Sequence, residues 1–490
     1  MKKQRLYTAC AAAVILVATL VSSCSKILDQ EPHNSTFTNA YFSTETDAKT
    51  SLAGAYAILR NILIRDNSWH KYGDAVSGEL AIDGSRDNGM FNISNGQFVG
   101  LNVGSENWNW QQYYQLLQQI NLIINKVPGI ADNKFVNIDT KRHVIGEAYF
   151  LRAYTYFYMS RIWGDVPLKL APDLDVSSAK NIPRSPADSV WRQCLADLEI
   201  AKTNLDFGYD DESNRAVRAN KGAALALQAH ILAWKGDYAG CEAAANEVIT
   251  KGGYSLVDST NYMKIFIGKT LEGIFEININ DGQSEGLSLA DNSGAGKTLM
   301  MPFIDGKNYI EWPVSEFYLS KIYTDADKDV RFKDIFYGLG GNQGQIIKYA
   351  NIAYADGATK KDPRMTNNLN IFRLADIMLL RAEALNKLHK DGDALPLLNL
   401  VRKRAGLDPY TGTGDDLATT ILEERLRELF YEGQAYYDLV RNKKLGAGNG
   451  YNEHFPDDQF RNGGWLWPID PNMFKDDFTL VQTPYWRGKL

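Results

Sequence analysis

Two stretches of this sequence follow the same plan, and that plan limits the fold more than any other feature. Ala219–Lys235 has helical periodicity, turns at Gly236-Asp237-Tyr238, and resumes as a second helix over Ala239–Thr250. Leu374–Leu388 does the same, turning through His389-Lys390-Asp391-Gly392-Asp393 into Ala394–Ala405. Both place small residues where two helices must approach closely: Ala223, Ala226, Ala229 and Ala233 in one, Ala375, Ala382 and Ala384 in the other. A helix pair of this kind cannot bury its apolar face alone, so neighbouring pairs stack around a shared core, as in tetratricopeptide units. His143–Asp165 and Leu417–Arg441 offer further units.

Other helices surround these pairs. Thr46–Ile64 carries Leu52, Ala55, Tyr56, Leu59 and Leu63 on one stripe, and Trp110–Val127 carries Tyr113, Leu116, Leu117, Ile120 and Ile124. His143–Ile162 is apolar nearly all round, so Tyr149, Phe150, Tyr154, Phe157 and Tyr158 are predicted core, as is Trp110. Asn67–Asn109, Gly252–Asp362 and Asn442–Leu490 differ in composition, being rich in Gly, Asn, Asp and aromatics, with short strand-like runs such as Gly273–Asn278. Long segments of this kind inside a compact chain are usually functional, and their Trp and Tyr content argues against disorder. The expected architecture is mostly α: a tetratricopeptide-like scaffold with long loop-rich excursions and a few short strands, forming one domain over residues 41–490.

The N-terminus sets the compartment. Lys2, Lys3 and Arg5 precede the apolar run Ala9–Val21, and Val21-Ser22-Ser23-Cys24 closes it. That reads as a secretion signal over residues 1–23, because the run is shorter than the roughly 20 apolar residues a membrane span needs. The thiol after small residues resembles a bacterial lipobox, which makes Cys24 the expected lipidation site and residues 24–40 a tether to the membrane. Loss of three cations with the leader makes the mature chain three units more negative than the −6 of the full sequence. An acidic chain is a poor partner for nucleic acid, whose phosphates need a basic surface. Cys194 and Cys241 fall in predicted helices and are read as buried free thiols.

Signals for catalysis are thin. The six His are isolated, with no H-E-x-x-H and no pair at metal-ligand spacing, and no G-x-S-x-G is present. Gly294-Ala-Gly-Lys-Thr298 ends like a phosphate loop, but Asp291 stands where its first glycine belongs, and an acid there repels phosphate. Gly338-Leu-Gly-Gly-Asn-Gln-Gly344 reads as a flexible turn, and Thr324–Val330 as a solvated acidic turn lacking the Gly and closing Glu of a calcium loop. No enzyme, cofactor or metal is expected. The positive signal is aromatic. Trp69, Trp108, Tyr309 and Trp312 have Gly, Asn or charged neighbours, and Asp83-Gly-Ser-Arg86-Asp-Asn88 supplies polar groups nearby. A sugar ring presents C–H groups to a flat aromatic while its hydroxyls take partners such as Asp, Asn and Arg. Stacking is therefore expected from Trp69, Trp108, Tyr309 and Trp312, with Asp83, Arg86 and Asn88 fixing hydroxyls.

Several segments resemble the SusD/RagB family of outer-membrane nutrient-binding lipoproteins. They are Cys24-Ser-Lys-Ile-Leu-Asp-Gln-Glu-Pro32, Gly146-Glu-Ala-Tyr-Phe-Leu-Arg-Ala-Tyr154 with Arg161-Ile-Trp-Gly-Asp-Val-Pro-Leu168, Leu374-Ala-Asp-Ile-Met-Leu-Leu-Arg-Ala-Glu-Ala384, Val401-Arg-Lys-Arg-Ala-Gly406, Glu424-Arg-Leu-Arg-Glu-Leu-Phe-Tyr-Glu-Gly433 and Leu466-Trp-Pro-Ile469. The resemblance implies a lid docked on a SusC-like TonB-dependent outer-membrane transporter, lipid-anchored and facing the cell exterior. It implies capture of a glycan for delivery to that transporter, without catalysis. One branch of the family is linked to peptides, so a peptide-binding lid is the alternative. The excursions match nothing in the family's pattern, which leaves the ligand open.

Overall fold

Helix pairs build the frame of the computed structural model. It describes residues 41–489 except 66, 99–108, 176–178, 210, 284, 286, 289–292, 342 and 357–358. The leader, Cys24 and the tether to residue 40 lie outside the described residues. The long helices are α1 (Glu45–Arg60), α2 (Gln111–Lys126), α3 (Ile138–Trp163), α4 (Ala187–Asn204), α5 (Lys221–Lys235), α6 (Tyr238–Lys251), α7 (Leu374–Lys387), α8 (Asp391–Arg404) and α9 (Gly414–Glu428). Consecutive helices pack on one another: α1 on α2, α2 on α3, α3 on α4, α4 on α5, α5 on α6, α6 on α7 and α7 on α8. That is the stacked arrangement expected of tetratricopeptide-like units.

Local chemistry places the boundaries. Thr44 caps α1 through a reciprocal capping box with Asp47. Asn220 caps α5 by accepting from the Ala223 N–H, and Asp237 caps α6 by accepting from the Gly240 N–H. Between them Gly236 adopts φ 78°, the left-handed conformation that lets α5 stop and the chain reverse in one step. The aromatics of α3 pack inward as expected: Phe150, Tyr154, Phe157 and Tyr158 are buried, and Tyr149 is half-buried beneath the Arg152 guanidinium. Trp110 is buried as well, and Cys194 and Cys241 are buried free thiols.

The longest excursion leaves after α6 and is pinned where it returns. Strand β1 (Gly273–Ile277) pairs antiparallel with β4 (Leu369–Arg373), the segment leading directly into α7, and every residue of both strands is buried. Strands β2 (Ile352–Asp356) and β3 (Lys361–Met365) form a hairpin that Leu287–Ser288 extends. The glycine-rich run at 338–344 joins the short strands Phe336–Tyr337 and Gln345–Ile346, in line with its reading as a turn.

The further unit expected over Leu417–Arg441 forms as a helix pair. It comprises α9 and a separate helix, Ala435–Arg441, with a turn between them in which Tyr431 and Gly433 take φ of 57° and 69°. Tertiary packing fixes the geometry of that turn. The Gly433 N–H donates to Asp74, and a Cβ on Gly433 would lie 2.3 Å from the Trp69 ring. Beside this turn, Arg331, Lys348, Arg373, Arg404 and Arg427 meet Asp329, Glu272, Glu424, Glu428 and Glu432, all buried. Arg373 reaches Glu272 (2.8 Å), Glu428 (2.5 Å) and Glu432 (2.8 Å). Arg331 reaches Asp329 (2.7 Å), Glu424 (2.8 Å) and Glu428 (2.8 Å). Lys348 pairs with Glu432, Arg404 with Glu272 and Glu428, and Arg427 with Glu424. Five buried cations face five buried carboxylates, with half-buried Arg402 reaching Glu424 at 3.4 Å, and the cluster ties the long excursion to α8 and α9.

Candidate ligand-binding site

The first and second excursions meet edge to edge. The Ser315 N–H donates to the Glu79 carbonyl (2.8 Å), the Ala81 N–H to the Pro313 carbonyl (2.8 Å) and the Asp83 N–H to the Glu311 carbonyl (3.0 Å). This short ladder brings Asp83–Asn88 beside Tyr309. Asp87 clamps the junction from below: it caps the helix Asn88–Ser94 through the Met90 N–H (3.1 Å) and accepts from Lys297 Nζ (2.6 Å) and Trp312 Nε1 (3.0 Å). Burial pushes the Asp87 carboxyl up, but the hydrogen bond and charge of Lys297 outweigh that and hold it below the ordinary carboxylate value. Lys297, the lysine of the phosphate-loop decoy, is thus engaged in a structural ion pair, with its ammonium 5.0 Å from the centre of the Trp312 ring.

Two expected stacking platforms are not available. Trp312 is fully buried, held by Asp87 under Lys297. Trp69 is 1% exposed and stacks on Tyr158 of α3 at 6.1 Å with 12° between the rings. Both sit among polar or small residues in sequence, yet partners remote in sequence enclose them, so neither face can meet a ligand. Trp108 lies outside the described residues. The other four expected residues do come together at the surface. Tyr309 is 40% exposed, with the Arg86 guanidinium 4.5 Å from its ring centre. Arg86 also pairs with Asp83 at 3.2 Å, and Asn88 is exposed at the start of its helix. Asp83 accepts from the Ser85 hydroxyl and N–H, which holds its carboxyl below the ordinary value.

Asp83 also borders an open cavity of about 490 Å³. Phe91, Asn95, Glu316, Phe317 and His454 line the same space. Phe91 is 40% exposed and Phe317 49%, so two flat apolar rings from different excursions are accessible at one cavity of mixed polar and apolar lining. Each stands off the buried face of its own short helix. The helix Asn88–Ser94 buries Met90, Ile93 and Ser94, and Glu316–Ile322 buries Tyr318, Leu319 and Ile322. An aromatic ring that falls off the apolar stripe of a short helix is the signal the sequence carries for both residues. Gly84 lies against Phe91, where a Cβ would come within 3.0 Å of the ring.

Family comparisons bear on this arrangement. A family model described as "Starch-binding associating with outer membrane" matches residues 26–232, and the model of the SusD family matches residues 342–486. The chain belongs to the SusD/RagB family. It is 27% identical over 480 residues to the SusD-like protein P38 of Formosa agariphila, covering 88% of this chain and 90% of that one. A SusD-like protein of Bacteroides ovatus is 26% identical over 470 residues, covering 87% of this chain and 81% of the relative. A SusD homolog from Bacteroides thetaiotaomicron superposes with a TM-score of 0.78 at 25% identity, covering 91% of this chain and 99% of its own. A laminarin-binding SusD-like protein shares the fold at a TM-score of 0.72 and 21% identity, over 90% of this chain and 99% of its own. SusD/RagB sequence blocks map here onto load-carrying positions: Glu424–Gly433 supplies most carboxylates of the buried ion cluster and the turn under Trp69.

Proposed function

We propose that this protein captures a glycan at the cavity bordered by Asp83, Phe91 and Phe317, and passes it unaltered to a SusC-like TonB-dependent transporter. The observation that carries this reading is the pair of exposed phenylalanine rings in one cavity that also presents Asp83, Asn95 and Glu316. Sugar rings stack on Phe91 and Phe317, while Asp83, Arg86, Asn88 and Asn95 take hydroxyls, with Tyr309 extending the rim. An open platform of this kind binds weakly, because it buries little area and a sugar is well hydrated beforehand. Family membership and the laminarin-binding neighbour support a carbohydrate ligand. Family membership also supports binding without catalysis. Residues 1–23 direct export, Cys24 carries the lipid, and residues 24–40 tether the body to the outer membrane, facing the exterior.

Affinity electrophoresis through gels containing laminarin, starch, xylan or mannan tests the site. The intact protein should be retarded by at least one glycan, and the double variant Phe91→Ala/Phe317→Ala should migrate freely. Undiminished retardation of that variant would remove the site assignment. Binding of a peptide library with no glycan retardation would favour the peptide-binding lid instead.

A further inference from the structure

A second cleft, of about 620 Å³, opens on the helical frame itself and shares no lining residue with the cavity at Phe91 and Phe317. It lies where the C-terminal end of α3, the start of α4 and the end of α5 meet the C-terminal segment. Three half-buried indoles line it: Trp191 from α4, Trp234 from α5 and Trp465. Trp234 and Trp465 meet edge to face at 5.9 Å, and the N–H of Trp191 donates to the Ser160 hydroxyl. Tryptophans that serve only as props are enclosed, as Trp69, Trp163, Trp312 and Trp467 are. These three keep surface open to a common space.

The polar groups of the cleft are unbalanced towards donors and positive charge. Among the described residues no acceptor meets the indole N–H of Trp234 or Trp465. Arg184 lines the cleft, yet its guanidinium donates to the carbonyls of Asp165 (2.8 Å), Val481 (2.6 Å) and Trp163 (2.7 Å), and to no carboxylate. Lys443 is exposed at the rim with no ion pair among the described residues. Lys235 stands 5.5 Å from the Trp191 ring centre and pairs with exposed Asp188, and Arg441 is paired inward with the buried Glu383 and Asp438. The one carboxylate of the lining, Asp165, already accepts from the Ala187 N–H. The protein as a whole is acidic, at −6, so a cationic cleft is a local feature.

We propose that this cleft is a second carbohydrate site, selective for an acidic sugar residue such as a uronate. The physical argument is complementarity of donors and acceptors. A hydroxyl needs both a donor and an acceptor, and the side chains here offer few acceptors, whereas a carboxylate only accepts. The carboxylate of the ring meets Lys443 and the free indole N–H groups, and the C–H face of the ring lies on Trp191 or Trp465. The protein would then hold a glycan at two separate places, one neutral and one acidic in preference. For a mixed-charge polymer that raises retention through effective concentration.

Isothermal titration of the purified protein with oligogalacturonate, alginate and hyaluronan fragments tests this, with carboxyl-reduced oligogalacturonate as the neutral counterpart. At least one uronate oligomer should bind, and removing its carboxylates should weaken it by about tenfold or more, as should Lys443→Gln, the loss expected for one charge-assisted hydrogen bond. Trp191→Ala should weaken it further. Lys443 is exposed, so its variant keeps the test valid even if Trp191→Ala folds poorly. Phe317→Ala should leave uronate binding unchanged. The proposal is overturned if no uronate oligomer binds, if the carboxyl-reduced oligomer binds equally, or if Lys443→Gln has no effect. Loss of neutral-glycan binding in Phe91→Ala/Phe317→Ala bears only on the first cavity, so the two readings fail separately.

Discussion

Replacing Arg373 by Met is the sharpest test of how the excursions are held. The side chains are of similar length, so little cavity is created, but the change removes contacts to Glu272, Glu428 and Glu432 and leaves five buried carboxylates facing four cations. Breaking a buried ion pair from one side costs about 3–5 kcal/mol, because the remaining charge stays desolvated. The unfolding entropy of about 2.1 cal/mol/K per residue, over about 425 described residues, gives about 0.9 kcal/mol per degree at the midpoint. Arg373→Met should therefore lower Tm by roughly 3–5 °C in differential scanning calorimetry. Adding Glu432→Gln restores the balance of four against four, and the double variant should be less destabilised than the sum of the two singles by at least about 1 kcal/mol. A single variant within about 1 °C of wild type, or strict additivity, would mean that the cluster does not act as a unit.

Other consequences can be measured directly. Gly433→Ala should cost several degrees of Tm, because it forces a Cβ into the Trp69 ring at a φ of 69° and disturbs a buried turn; an unchanged melt would contradict the core placement of Trp69. On acidification, burial pushes the Glu424 carboxyl up but the charge of Arg331 outweighs it, leaving it at about 2, and Glu428 lies well below its ordinary value. Their stabilisation is complete above about pH 4.5 and is lost as pH falls towards 2, so urea midpoints should drop across that window. Glu276 behaves oppositely: burial raises its carboxyl to about 7, so its contribution to stability falls as pH rises from about 4.5 to 7. Glu276→Gln should gain on wild type across that range, by up to about 3 kcal/mol, read from urea melts at pH 5 and pH 8. Cys24→Ala should move the protein from the membrane pellet to the soluble fraction, and retention in the pellet would argue against lipid anchoring there.

Much of the frame was legible because helical periodicity and capping are local. Asn220, Gly236 and Asp237 mark the α5–α6 turn in the sequence as clearly as in the structure. The turn at residues 429–434 is marked locally only by Gly433, and its geometry was not legible, since Asp74 and Trp69, some 360 positions away, fix it. The same remoteness explains the site. Polar sequence neighbours made Trp69 and Trp312 look exposed, but an indole's surroundings are set by whichever element folds over it, here α3 for one and the 83–88 segment for the other. Asp83, Arg86 and Asn88 share one segment, and Tyr309 is brought beside it by a ladder only five residues long on each side. Phe91 and Phe317 were recoverable only by asking which apolar residues fall off the buried face of their helices.

The buried tryptophans and the exposed phenylalanines belong to one argument about weak binding. A shallow sugar site has little interaction energy to spend on ordering its own loops, so loops that were ordered on binding would bind worse still. Long excursions are poorly suited to such a task unless something rigid holds them. Here Trp312 and Asp87 lock the two loops that carry Phe91 and Tyr309, and five ion-paired cations fasten the longer excursion to α8 and α9. The tryptophans are spent on stiffness, which is why the rings left for ligand are fewer and smaller. It follows that Trp312→Phe, which keeps an apolar ring but deletes the N–H bond to Asp87, should weaken glycan binding by loosening Phe91 without touching the ligand. The loss should appear with the Tm lowered by only a degree or two, and faster amide exchange confined to residues 83–95 should accompany it. Weakened binding with unchanged exchange in that segment would refute the link between rigidity and capture.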